Sequence, residues 1–173
     1  MLLQIKRIVK HAWFQAASTR RAIPADMVQR LQQLVIASEQ RHSGEIRIYI
    51  ESGLPLSYLR RDASTRQITR QRALTLFGKL RVWDTEHNNG VLIYLLLAEH
   101  TIELVADRGL NHVVDPQIWQ AMVSRMSNAF KLGRFEDGLK QALEEVSTLL
   151  VLHFPLGQGE AHLNELPDAP ILN

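Results

Sequence analysis

The sequence predicts an α/β fold in which a mixed β-sheet lies between layers of helices, and three observations support this. Residues 45–51, EIRIYIE, alternate polar and apolar side chains, as a half-buried strand does. Residues 91–97, VLIYLLL, are continuously apolar, which is typical of a central strand covered on both faces. Apolar residues recur at helical spacing before, between and after these strands. This order of elements predicts a layered sheet with helices on its faces.

The first core helix is predicted over residues 24–42, with Pro24 near its start and Gly44 just beyond its end. Its apolar stripe consists of Met27, Leu31, Leu34, Val35 and Ser38. In the strand that follows, the three isoleucines at 46, 48 and 50 are expected to face the core. The opposite face carries Glu45, Arg47, Tyr49 and Glu51.

A second helix is predicted to begin at the capping residue Ser64 and to bury a stripe of Ala73, Leu76, Phe77 and Leu80. This helix lies between strands 45–51 and 91–97 and provides a crossover, which makes the two strands parallel. Residues 98–100 are too few for a crossover, so strands 91–97 and 101–107 must form an antiparallel hairpin. The predicted sheet is therefore mixed.

Two further helices complete the predicted domain. The first is capped by Asp115 and Pro116 and ends at Gly133. The second begins near Phe135 and closes before Pro155. We therefore divide the chain into a basic amphipathic segment (1–23), an α/β domain (24–155) and a C-terminal tail (156–173).

Composition excludes several classes of function. The chain has 173 residues and no cysteine, which excludes disulfides, thiolate metal sites and thiol catalysis. We find no signal peptide and no apolar run that could span a bilayer, so a cytoplasmic location is expected.

Charge is unevenly distributed along the chain. Residues 1–81 carry 15 Lys and Arg against 5 Asp and Glu, whereas residues 82–173 carry 5 against 13. Because no nucleic-acid-binding motif accompanies the basic half, we expect no nucleic-acid partner. Complementary surfaces of one domain or of a homodimer explain the asymmetry better.

The densest group of ligand-type side chains lies in the loop WDTEHNNG, which contains Asp84, Glu86, His87, Asn88 and Asn89. Oxygen-bearing residues at alternate positions are typical of calcium and magnesium ligands. The loop is not an EF-hand, since Gly90 comes one position late and Leu95 replaces the bidentate glutamate. The alternative is a simple turn in which Asp and Asn side chains bond to the backbone.

Topology predicts what this loop meets. The antiparallel hairpin returns Asp107 and Arg108 to the sheet edge where the loop enters Val91, and His42 and Glu45 should lie along the same edge. The carboxylates of this edge would form a polyoxygen metal or phosphate site. The opposite edge offers only Glu51, Ser52, Glu99 and His100, a poorer set.

The N-terminal segment is predicted to form an amphipathic helix. Its apolar stripe consists of Leu2, Ile5, Val9, Ala12, Trp13 and Ala16, and its polar side of Lys6, Arg7, Lys10 and His11. Such a helix could dock on an anionic membrane surface. Packing against its own domain or a second subunit is the alternative.

Four segments make residues 24–155 resemble the bacterial TPM domain: HSGEIRIYIE, RALTLFGKLRVWDTEHNNGVLIYLLL, IELVADRGL and GRFEDGLKQAL. The resemblance implies a three-layer α/β sandwich with a mixed sheet of about four strands and helices on both faces. Three strands are evident from the sequence, and we expect a short fourth strand near residues 112–114. Many relatives have a signal peptide and a membrane span, which we do not find here.

The resemblance implies two alternative functions. One plant relative is regarded as a calcium-binding acid phosphatase, and other members have accessory or repair roles in membranes. For a metal-assisted phosphomonoester hydrolase, Asp84, Glu86, Asn88 and Asp107 would hold a calcium or magnesium ion, with His87 and Arg108 as the catalytic residues for a phosphorylated substrate. The chain has Asp107-Arg108-Gly109 where many relatives carry a Gly-Tyr-Gly-like turn. The alternative is a non-catalytic adaptor or assembly factor at a membrane protein or at the inner-membrane surface.

Overall fold

The computed structural model describes the backbone of residues 2–13, 16–157, 159 and 161–173, and their side chains except those of 2–5, 13 and 16–18. The sheet has four strands in the order β3-β2-β1-β4: β1 (Ile46–Glu51), β2 (Val91–Leu96), β3 (Thr101–Ala106) and β4 (Ile171–Leu172). Strand β1 runs parallel to both β2 and β4, whereas β2 and β3 are antiparallel. The predicted directions of the first three strands are therefore confirmed.

The described residues also form eight α-helices: α1 (Leu2–Trp13), α2 (Ala16–Ala22), α3 (Ala25–Glu39), α4 (Leu56–Leu59), α5 (Thr65–Lys79), α6 (Arg108–Val113), α7 (Pro116–Lys131) and α8 (Phe135–His153). Ser64 caps α5 in a capping box with Gln67, and Asp115 caps α7. Gly133 has a φ of 72° where α7 ends, a backbone conformation that favours glycine. These boundaries agree with the predicted ones.

Helices cover both faces of the sheet, which confirms the α/β sandwich. On one face, Ile46, Ile48 and Ile50 pack with β2 residues against α3, α7 and α8. On the other face, Tyr49 and Tyr94 pack against α4 and α5. Each face buries a separate apolar core, so the sheet is the central layer of three.

The polar face of β1 is buried as well as the apolar one. All six residues of the strand are buried, including Arg47 and Glu51. Alternation correctly assigned the two faces but could not show that α5 and the C-terminal segment cover the second one. Polar side chains on this face must therefore find partners inside the protein.

The fourth strand does not lie near residues 112–114, which belong to α6 and the residue after it. It comes from the predicted tail, where residues 171–172 pair with Tyr49 and Ile50. The backbone of Asn173 extends the pairing, since its N–H donates to Ile50 O at 2.9 Å and its carbonyl accepts from Ser52 N at 2.8 Å. The C-terminal segment (residues 156–173) therefore closes the outer edge of β1.

The N-terminal helix α1 forms as predicted, but its polar side faces the domain. The Arg7 guanidinium donates to the carbonyls of Leu59, Arg61 and Ala63, and His11 is buried. Val9, from the predicted apolar stripe, is 51% exposed. Among the helices of the described ranges, none is long and apolar enough to cross a bilayer.

Candidate functional site

The loop of residues 84–89 and the residues that follow β3 meet at one edge of the sheet, as predicted. Asn88 O accepts a hydrogen bond from Gly109 N at 2.8 Å, and Asn88 Oδ1 accepts one from Arg108 Nε at 2.7 Å. A Cβ at Gly109 would lie 2.5 Å from Asn88 O, so only glycine allows this approach. The structure thus brings Asn88 and Arg108 together.

The carboxylates of this edge do not gather in the same way. Asp84 forms an ion pair with Arg81, and Glu86 is exposed, as is His87. Asp107 is buried and caps α6, its Oδ1 accepting from Arg108 N at 2.7 Å. In the described part of the chain, Asp84, Glu86 and Asp107 are not a group whose ligand atoms converge as a metal requires.

A different set of ligands converges beneath the same edge. Atoms of Glu39, Glu45 and His162 lie within 4.8 Å of one another. His162 Nε2 is 3.0 Å from Glu45 Oε1 and 3.9 Å from Glu39 Oε2. Glu45 lies at the predicted edge, whereas the other two residues were not predicted as part of the site.

Three elements position these side chains. Glu39 is the last residue of α3, and its Oε1 accepts from Ile46 N at 2.8 Å. Glu45 precedes β1, and its two oxygens accept from the N–H groups of Glu165 and Leu166 at 2.9 and 3.1 Å. Glu45 thereby anchors the C-terminal segment to the start of the sheet.

A second histidine, His42, lies next to His162. His42 is buried, and its Nδ1 donates to Gly44 O at 3.1 Å while Nε2 accepts from Ser38 Oγ at 2.9 Å. Burial, together with a smaller effect of the His162 ring, lowers the pKa of His42 to about 4. His42 is therefore neutral at pH 7. Its backbone carbonyl contacts His162 Nδ1 at 3.2 Å.

The cluster concentrates buried carboxyl groups. Burial, with the nearby carboxylates of Glu45 and Asp168, raises the pKa of Glu39 to about 9 even though the Ile46 N–H favours its ionised form. Burial also raises the pKa of Glu45, although the Glu165 and Leu166 N–H groups and the His162 ring oppose the shift. Both carboxyl groups are therefore stabilised by a bound proton or by a cation.

An open cavity of about 380 Å³ borders the cluster. Glu39, His162, Asp168 and Asn164 line it together with apolar residues. Asn164 Nδ2 donates to Asp168 Oδ1 at 2.8 Å. A small ion therefore has a path from solvent to Glu39 and His162.

Sequence reasoning missed Glu39 and His162 for a physical reason. The contact between His162 and residue 42 spans 120 positions, and nothing in the local pattern of either segment encodes it. One available indication was the run Asn164-Glu165-Leu166-Pro167, followed by the apolar pair Ile171-Leu172. An apolar pair at the end of a polar tail is typical of a segment that returns to the domain.

The opposite edge of the sheet holds a polar group of another kind. Glu51 is fully buried and receives hydrogen bonds from Arg72 at 2.5 and 3.0 Å, and from Tyr94 Oη at 2.7 Å. Hydrogen bonding to Glu51 raises the pKa of Arg72 despite the opposing effect of burial. This closed ion pair leaves Glu51 no capacity for a ligand.

The fold and its polar edge define a class of α/β sandwich in which a mixed four-stranded sheet lies between helices. Residues 19–149 match the TPM domain, and the chain belongs to this family. The structure is similar to the NMR structure of BA42 protein from the psychrophilic bacterium Bizionia argentinensis, with a TM-score of 0.71 and 26% sequence identity. That likeness covers 87% of this chain and 95% of BA42. No curated protein matches the chain.

Proposed function

We propose that the chain is a non-catalytic, membrane-docking TPM domain that binds an anionic lipid surface through α1. The observation that carries this proposal is the orientation of α1, which uses its polar side to contact the domain. Val9 and Ala12, the members of the predicted apolar stripe whose side chains are described, are exposed, whereas the neighbouring Ile8 packs against the core on the α4 and α5 side of the sheet.

Polar contacts hold α1 in this orientation. Leu54 N donates to His11 Nδ1 at 3.0 Å, so Nε2 carries the ring proton and donates to Glu99 Oε1 at 2.9 Å. Lys10 donates to the other Glu99 oxygen at 2.7 Å. Burial alone would raise the pKa of Glu99, but the hydrogen bonds from His11 and Lys10 lower it. Glu99 therefore remains ionised and anchors the helix.

The outer side of α1 combines an apolar strip with positive charge. Val9 and Ala12 are exposed, as is Lys6. The sequence repeat places Leu2, Ile5 and Trp13 in the same stripe as Val9, although their side chains, and Ala16, lie outside the described side chains.

The first acidic residue of the chain is Asp26, so residues 1–25 carry only positive formal charge, and Arg20 and Arg21 of α2 are exposed. A basic amphipathic helix of this kind binds anionic lipid by apolar burial together with attraction to headgroups.

Flotation with vesicles tests the proposal. Vesicles that contain phosphatidylserine should recover the protein, and pure phosphatidylcholine vesicles should recover less. Val9→Glu should reduce the recovery, because the carboxylate opposes both apolar insertion and the anionic surface. Val113→Glu is the matched control, because Val113 is also 51% exposed but lies on α6. Equal recovery of the wild type and Val9→Glu would exclude α1 as the docking element.

Hydrolysis of a phosphomonoester is the second candidate. One observation favours it, since the buried Asp107 Oδ2 has no hydrogen-bond partner among the described residues and lies beside the exposed Arg108. The proposed calcium or magnesium ligands Asp84, Glu86, Asn88 and Asp107 do not fit one ion as they stand, because Asp84 is paired with Arg81 and Asn88 with Arg108. His87 and Arg108 would then act on the phosphate without a formed metal centre.

Turnover of p-nitrophenyl phosphate tests this candidate, measured with and without calcium or magnesium. If the loop is catalytic, Arg108→Ala and His87→Ala lower turnover, whereas the exposed His112→Ala does not. Background turnover in all proteins and conditions would exclude the hydrolase.

A further inference from the structure

The cluster of Glu39, Glu45 and His162 goes beyond the proposed docking function, because it lies at the sheet edge and includes a residue outside the family match at 19–149. We propose that these three side chains bind one divalent transition-metal ion of the zinc type, which fastens the C-terminal segment to the sheet.

The state of the His162 ring is the first argument. Its Nδ1 lies 3.2 Å from His42 O, and because a carbonyl only accepts, Nδ1 carries a proton. Nε2 is buried, lies 3.0 Å from Glu45 Oε1 and forms no hydrogen bond with any described residue. Nε2 is thus the ring nitrogen without a hydrogen-bond partner, and it faces a carboxylate oxygen of Glu45 and one of Glu39. A metal ion between these atoms would be bound by all three.

The supporting contacts are those of a metal site. A metal-binding histidine commonly donates its second ring N–H to a backbone carbonyl, as His162 does to residue 42. Backbone N–H groups likewise orient both glutamates and leave one oxygen of Glu39 without a backbone partner among the described residues. Hydrogen bonds to the backbone therefore orient all three ligands, and the atoms of each that can bind a metal lie within 4.8 Å of one another.

The distances are within reach of one ion. Ligand atoms around a tetrahedral zinc ion lie roughly 3.5 Å apart, since zinc bonds to nitrogen and oxygen are about 2.1 Å. The three ligand atoms are separated by at most 4.8 Å, and two of them by 3.0 Å. Small rotations of the Glu39 side chain at the end of α3 would complete the set.

Charge balance is the second argument. In the described part of the chain, no lysine or arginine forms an ion pair with Glu39 or Glu45. The buried Arg47 interacts electrostatically with Glu39, Glu45 and Asp168, but it donates a hydrogen bond to Ala169 O at 3.4 Å and forms no ion pair with either glutamate among the described residues. Asp168 and Glu165 add further negative charge to the same region. A divalent cation would offset this excess.

The donor types select the class of metal. Calcium and magnesium prefer sites made of oxygen ligands, whereas an imidazole together with carboxylates suits zinc and related transition metals. Three protein ligands leave further coordination positions, which Asp168 or water from the neighbouring cavity can fill. The cavity also provides the entry path.

Isothermal titration of the full chain, first stripped with EDTA, tests the proposal. Zinc should bind with a stoichiometry of one and more tightly than calcium or magnesium. His162→Ala and Glu39→Gln should each weaken binding more than about 100-fold, since loss of a supporting residue alone costs 10–100-fold. His112→Ala, which removes an exposed histidine, should leave the affinity unchanged.

Digestion by carboxypeptidase measures how firmly the C-terminal segment is attached to the sheet. Zinc should slow the loss of residues 156–173 in the wild type and in His112→Ala, but not in His162→Ala, because cleavage follows local opening of the segment. Circular dichroism confirms that each variant is folded.

Three results would overturn the proposal. The first is an absence of zinc binding, which would mean that a proton alone balances the cluster. The second is equal affinity in His162→Ala and His112→Ala. The third is loss of binding in Asp84→Asn or Asp107→Asn but not in His162→Ala, which would place the ion in the loop. None of these results depends on vesicle flotation, so failure of this site is distinguishable from failure of membrane docking.

Discussion

Glu45 and Glu51 lie at opposite ends of β1, are equally buried and have opposite electrostatic surroundings. Glu51 is neutralised by Arg72 and further held by Tyr94 and by Asn173 Nδ2 at 3.2 Å. Glu45 instead accepts hydrogen bonds from two backbone N–H groups and lies next to Glu39 and His162.

The difference between the two glutamates shows that burial does not determine what a carboxylate does. A buried charge requires compensation, and a guanidinium that is built into the fold provides it permanently. Where no such group is in direct contact, compensation must come from a proton or an ion taken up from solution. One end of β1 is therefore a fixed structural pair and the other end has binding capacity.

The largest expected effect comes from breaking the fixed pair. Arg72→Met should lower the free energy of unfolding by about 3–5 kcal/mol, because it leaves Glu51 buried without its counter-charge. Urea denaturation measures this. Arg125→Met is the control, since Arg125 pairs with Glu145 on the surface and its loss should have no measurable effect. Equal stability of Arg72→Met and wild type would show that Glu51 has other compensation.

The second prediction concerns pH at the other end of β1. The pKa of Glu39 is raised to about 9 in the folded state, so its contribution to stability is greatest at low pH and is lost as pH rises toward 9. In EDTA, the wild type should lose roughly 2 kcal/mol of stability between pH 7 and 9. Glu39→Gln should remove most of that slope.

Glu136 provides the control for this pH dependence. Hydrogen bonds from Arg30 and Lys140 lower its pKa to about 2, and burial lowers the pKa of His42 to about 4, so neither group changes its charge between pH 7 and 9. Glu136→Gln should therefore keep the wild-type slope. A slope that is the same in Glu39→Gln would mean that another group takes up the proton.

A smaller effect is expected from Tyr94→Phe. The change removes the hydroxyl that donates to Glu51 at 2.7 Å but keeps Arg72 in place. A hydrogen bond to a charged group is worth about 1.5–3 kcal/mol, and the retained ion pair places the loss at the lower end. Thermal unfolding would measure this loss. A loss as large as that of Arg72→Met would show that Arg72 is not the main partner of Glu51.

The smallest effect is expected from Asn173→Ala. Its side-chain amide donates to Glu51 at 3.2 Å, but its backbone hydrogen bonds to residues 50 and 52 remain in the variant. The expected loss is about 0.5–1 kcal/mol. Hydrogen exchange at residues 171–173 would detect it locally, and global destabilisation above that range would show that the amide also holds the segment.

The strands, their directions and most helix boundaries could be predicted from the sequence because each depends on local pattern or connection length. The three-residue connection at 98–100 requires a hairpin, and the helix after Ser64 provides a parallel crossover. The same topology correctly placed Glu45 near the loop that precedes Val91. Connection lengths therefore predict the strand directions and the sheet edge at which Glu45 lies.

The partners at that edge could not be predicted because they come from segments far apart in the chain. His162 lies beside Glu45 because the C-terminal segment pairs with β1. Asp84 forms an ion pair with Arg81, three residues away, and does not join the other predicted ligands. Alternation in β1 also gave no indication that Arg72 of α5 would cover its polar face. Residue types and spacing identify candidates, whereas tertiary packing selects among them.

The pairing of β4 with β1 also has a kinetic consequence. Residues near the start of β1 and their partners in the C-terminal segment are about 120 positions apart, so this contact closes one of the longest loops in the chain. Such contacts form late in folding. Until then β1 presents an open strand edge, and another extended chain can pair with it. Slow addition of β4 should therefore set the period during which the protein is most prone to aggregate.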